Sequence, residues 1–262
     1  MNRKSLLATG FILLSTSVAI AHEYDEEKSD AAVYRVEMHN QTDKQWFSPC
    51  LCALHNSRIR LFQEGQAATT GQATFSEDGF NGILAKELQE NPNVYSVLQC
   101  GPGLTPPDSY RVEYIKGPVS ARLTCAAMPV TTNDVLTVIQ RVKLPKQFYT
   151  TRTYRSKEWD LGSEQNNYSA GSMPEDSVNL IAEGSNNPVT IADSVVFGSS
   201  GRPVGVPALL NPFSRAYIGD QGEAIAEGTM SLFTHYEGSD DFNAEIYGWM
   251  GSASYFSVTR IE

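Results

Sequence analysis

The sequence predicts an all-β protein, an antiparallel β-sandwich with one or two short helices. Three observations carry this. Short apolar runs recur along the chain, and some alternate strictly with polar residues. Clusters of Gly, Pro, Asn and Asp punctuate them. A single segment combines helical periodicity with good helix formers. Many strands with little helix pack most simply as two facing sheets.

The first residues read as an address. Arg3 and Lys4 are followed by a mostly apolar stretch at 6–20, and Ala19-Ile20-Ala21 puts small residues at −3 and −1 before His22. This is the pattern of a secretory signal peptide cleaved after Ala21. Residues 22–32 are charged and aperiodic, a leader, and a single domain is expected over 33–262. In VYRVEMH, Val33, Arg35 and Glu37 point one way and Tyr34, Val36 and Met38 the other, so a half-buried strand is expected. Asn40-Gln41-Thr42-Asp43 makes a turn, and 47–55 is a second extended run. Residues 76–90 predict one amphipathic helix on Ile83, Leu84 and Leu88, stopped by Asn91-Pro92. Further strands are expected at 110–115, 122–129, 135–142, 178–183, 189–197, 229–236 and 255–261.

The 262 residues carry 20 Lys and Arg against 30 Asp and Glu, a formal charge of −10. Loss of residues 1–21 removes two positive and no negative side chains, leaving −12. That excess argues against a nucleic-acid partner, which requires clustered cations, and suits a protein that collects cations. Apolar residues are 41% and charged residues 19%, which excludes a disordered chain. Past the signal, no run is apolar for long enough to span a bilayer.

Four cysteines remain, Cys50, Cys52, Cys100 and Cys125, an even number that predicts two disulfides in an exported protein. Cys50 and Cys52 lie two apart in an extended run and cannot easily bridge each other. That leaves 50–100 with 52–125, or 50–125 with 52–100. The spacing is not a usual zinc pattern.

Four segments, in order, resemble the spondin N-terminal domain. They are VYRVEMHNQTDKQWFSPCLCALH (33–55); LFQEGQAA (61–68) with SEDGFNGILAKELQ (76–89); MPVTTNDV (128–135); and VKLP (142–145) with WDLGSEQN (159–166). Residues 33–183 carry the match, and VTRIE (258–262) is similar to the family's closing strand. Leu161, Ser163 and Val135 depart from the family pattern. The resemblance implies a C2-like β-sandwich, calcium held by loops at one end, and roles in matrix contact and adhesion rather than catalysis. It points to Asp134 and Asp160 as metal ligands and to Glu113 as a third.

The chemistry of those residues is consistent with such a site. Calcium takes about six to eight oxygens from carboxylates, carbonyls and water. Asp134 ends the polar stretch Thr131-Thr132-Asn133, and Asp160 opens Asp-Leu-Gly-Ser-Glu, where Gly162 permits a tight turn. Plainer roles compete. Asp134 could cap a short helix at 135–139, Asp160 could only form a turn, and Glu164 reads as a structural carboxylate. Glu237, Asp240, Asp241 and Glu245 lack the spacing of a calcium loop and read as solvated.

Enzyme signatures are missing from the sequence: there is no Gly-x-Ser-x-Gly, His-Glu-x-x-His or phosphate-binding glycine loop, and Gly198-Ser199-Ser200-Gly201 reads as a turn. Asn40-Gln41-Thr42 and Asn167-Tyr168-Ser169 match glycosylation acceptors. The expectation is a secreted, extracellular or periplasmic calcium-binding module that meets a protein or glycan at a cell surface or matrix. Its rivals are a metal-free structural module and a secreted hydrolase built on His55 or His235.

Overall fold

The computed structural model describes residues 31–101, 103–107, 109–164, 228–238 and 243–262. The signal segment, most of the leader, the strands expected at 178–183 and 189–197, Asp240, Asp241, the Gly198–Gly201 turn and the acceptor at Asn167 lie outside them.

Alternation in the first strand is realised residue by residue. In β1 (Ala31–Asn40) every second side chain is buried, with Tyr34, Val36 and Met38 inward and Arg35 and Glu37 outward. The remaining strands of the described residues are β2 (Leu51–His55), β3 (Val94–Gln99), β4 (Tyr110–Pro118), β5 (Arg122–Ala127), β6 (Val135–Lys143), β7 (Thr151–Arg155), β8 (Lys157–Asp160), β9 (Ser231–Leu232) and β10 (Ser254–Arg260). They form two antiparallel sheets, ordered β4-β1-β10-β7 and β3-β2-β5-β6-β8-β9. The fold is therefore an all-β sandwich.

Between the sheets lies a core of Tyr34, Val36, Met38, Leu54, Leu123, Ile139, Phe256 and Val258. A second core covers the other face of the larger sheet, where Leu51, Ala53, Ala126, Leu136 and Val138 meet Phe75, Leu84 and Leu88 from two helices. This explains why β2 is buried at every position: a strand covered on both faces needs no polar alternation.

Those helices correct the expectation of one helix at 76–90. α1 (Thr70–Asp78) and α2 (Gly82–Gln89) are separate. Thr69 and Gln72 form a reciprocal capping box at the start of α1. Gly79, at φ 67°, ends it in the left-handed conformation that glycine adopts without steric cost. The helices pack closely at Gly71, where a Cβ would come within 2.7 Å of the Leu84 backbone. A third helix, α3 (Ala244–Tyr247), is a single turn.

Two disulfides pin one end of the larger sheet. Cys50 pairs with Cys100, and Cys52 with Cys125 directly opposite it across β2 and β5. No helix of the described residues is long and apolar enough to cross a membrane.

Candidate metal centre

Asp134 immediately precedes β6, and Asp160 is the last residue of β8. Because Val135 pairs with Asp160, and Leu161 N–H donates to the Asp134 carbonyl at 3.1 Å, the two acids sit side by side at one end of the larger sheet. The helix-cap role for Asp134 is corrected, since Val135 begins a strand.

The loop before Asp134 is held from several sides. Thr131, Thr132, Asn133 and Asp134 are all fully buried. Thr132 closes a turn onto the Pro129 carbonyl through both its N–H (3.0 Å) and its hydroxyl (2.7 Å). Gln45 donates to Thr131 Oγ1, and Tyr236 donates its hydroxyl to the Thr131 carbonyl at 2.9 Å. Such a loop is preorganised: the bonds of Thr131 and Thr132 hold its backbone in place before any ligand arrives.

The Asp134 carboxylate divides into two unlike halves. Oδ2 accepts N–H bonds from Ser163 (2.8 Å) and Glu164 (3.1 Å). Oδ1 is buried and has no hydrogen-bond partner among the described residues. Burial, then the charges of Asp160 and Glu77, push the Asp134 pKa up to about 7, overcoming the two amide bonds that favour the anion. Asp160 Oδ1 accepts the Gly162 N–H at 2.8 Å, so its turn-forming role is realised. Gly162, at φ 64°, packs against residues 228 and 229 so tightly that a Cβ would meet the Thr229 backbone at 2.7 Å.

Glu113 is not brought to this site. It lies on β4 in the smaller sheet, paired with Val36, and its Oε1 accepts the Gly101 N–H at 2.7 Å, fastening the chain just past Cys100. The acid that faces Asp134 instead is Glu77, near the end of α1 and 6% exposed. The sequence signal for it was Ser76-Glu77-Asp78-Gly79, which reads as a helix beginning until Gly79 is known to end one. Glu164 contributes its backbone N–H to Asp134, and its side chain is buried.

Whether these residues suit calcium can be judged from their donors. Asp134, Asp160 and Glu77 are hard oxygen donors, and one buried oxygen awaits a partner, which fits. Among the described residues, however, no three carboxylates place ligand atoms within 4.8 Å of one another. Cys50, Cys52 and Cys100 do, but their sulfurs are committed to disulfides.

The histidines occupy different settings. His55 is fully buried: its Nδ1 donates to the Asn56 carbonyl (2.7 Å), so Nε2 is left to accept from the Thr124 hydroxyl (2.8 Å). His235 lines an open cavity with Asp43, Tyr236 and Glu245. Asn40, the first acceptor asparagine, is 1% exposed and spends its amide on the Gln45 carbonyl, which closes it to glycosylation in the folded state. No protein-family model matches the chain, and no curated protein matches it either.

Proposed function

We propose that this chain is an exported β-sandwich binding module of spondin type, steadied by a calcium ion at the acidic end of its larger sheet. The observation that carries the reading is Asp134: a carboxylate shut away from water beside Asp160 and Glu77, with one oxygen lacking a hydrogen-bond partner among the described residues. A buried carboxylate is repelled by an acid beside it unless one of them holds a proton or a cation neutralises them. Asp134 and Asp160 would hold the ion, with Glu77 facing them, and its chemistry is charge neutralisation and loop ordering. Export is supported by the signal-like first 21 residues and by two disulfides, which persist in oxidising compartments. The partner class is a protein or glycan at a cell surface or matrix, met by loops beside the ion.

A metal-free structural module has one observation in its favour: a protonated Asp134 carries no charge to repel its neighbours, and its Oδ2 is already bonded to two amides without an ion. Calorimetric titration with calcium separates the two. Heat of binding in the wild type, abolished in Asp134→Ala with Asp160→Ala, supports the ion. A melting temperature indifferent to both calcium and chelator sinks it.

A further inference from the structure

The opposite end of the larger sheet carries the opposite charge. β6 starts beside Asp134 and ends at Lys143, so the two ends are about 30 Å apart along one strand. At the far end a cavity of about 440 Å³ is lined by Val119, Ala121 and Leu144 together with four cations, Arg122, Lys143, Lys146 and Arg152. No acid lines it. Among the described residues, none of the four forms an ion pair. In a chain of charge −10 this concentration of positive charge stands out.

The register makes the arrangement costly. Arg122 and Lys143 are direct cross-strand partners, and like charges placed opposite each other destabilise a sheet. An anion between them turns that repulsion into attraction. The 144–150 loop contributes Leu144 and Lys146 to the lining. There Arg260 lies over the Phe148 ring at 4.3 Å and donates to the Lys146 carbonyl, which fixes the loop. Tyr149 holds a positive φ of 57°, unusual for a bulky residue, and is 80% exposed.

We propose that this cavity binds the sulfate or phosphate group of an anionic saccharide. Guanidinium and ammonium groups take the oxyanion, and the apolar floor and the exposed Tyr149 ring take the sugar faces. Concavity decides for a saccharide over a membrane: a projecting charged ring enters a pocket of this size, whereas a flat headgroup layer cannot. The site is separate from the acidic end and independent of any metal there.

The test is a titration of the full chain, in chelator, with a sulfated heparin hexasaccharide and with its desulfated form. The sulfated sugar is expected to bind, more weakly as salt rises, and the desulfated one not to. Lys146→Gln with Arg152→Gln is expected to weaken binding at least tenfold at an unchanged melting temperature, and Tyr149→Ser to weaken it severalfold without changing the salt dependence. Should the double variant melt early, Lys146→Gln alone, at an exposed position, is expected to weaken binding severalfold. No binding, equal binding of the desulfated sugar or unaltered binding by the variants overturns the proposal. So does capture on phosphatidylglycerol vesicles without hexasaccharide binding.

Discussion

At the scale of single residues, two buried titratable groups make the fold sensitive to pH in opposite directions. Burial lowers the pKa of His55 from its ordinary 6.5, against the bond to Asn56. The unfolded chain therefore binds the proton more readily. The stability His55 contributes is complete above about pH 6.5 and declines as pH falls below it. Denaturant titration from pH 7.5 to 5 should show this loss, and His55→Gln should flatten it. Asp134 behaves the other way in the metal-free protein. Its native pKa of about 7 exceeds the unfolded value of 3.8, so its contribution falls as pH rises from about 4 to 7. Asp134→Asn, which imitates the protonated form, should leave the chelated protein as stable as the wild type or more so at pH 8, while abolishing any gain from calcium. If the substitution unfolds the protein at pH 8, the carboxylate is needed charged without a metal.

Among the elements, the helical pair is the most exacting. Gly71 lets α1 approach α2 at Leu84, and Glu87 reaches back to accept the Gly71 N–H at 2.9 Å and the Thr69 hydroxyl at 2.8 Å. A methyl group at 71 must push backbone aside, so Gly71→Ala should cost about 1–3 kcal/mol in denaturant titration. This pair also shows where pattern reading fails. Residues 70–78 have almost no amphipathic contrast, because α1 is buried nearly all round, so only 82–89 carried the helical stripe. The strands divide similarly. β1 was legible from its alternation and β5, β6 and β10 from their apolar content. β7 (TRTYR) is an edge strand with polar side chains outward, and β8 (KEWD) has four residues, too few for a period to register. Their pairing is set by neighbouring strands rather than by their own composition.

For the molecule as a whole, the disulfides close loops of 50 and 73 residues at the same end of the sheet as the acids. On a chain-entropy account each is worth about 4 kcal/mol. Reduction should therefore lower the melting temperature sharply in a thermal scan with and without dithiothreitol, and an unchanged value would mean that the sandwich core suffices alone. The sequence left two pairings open because Cys50 and Cys52 face one side alike; the strand order, with β2 between β3 and β5, decides it. The candidate site was legible to a similar degree. Asp134 and Asp160 could be paired through loop chemistry and resemblance, but Glu77 reaches them by the packing of α1 on the sheet, which no local pattern encodes. Glu113 failed for the converse reason: its strand belongs to the other sheet.

The most direct test is a crystal structure grown with calcium, with anomalous data collected to identify the ion. A calcium peak bonded to Asp134 Oδ1 and an Asp160 oxygen is the predicted result. A well-ordered acidic end with no peak, and Asp134 bonded only to the Ser163 and Glu164 amides, would contradict it.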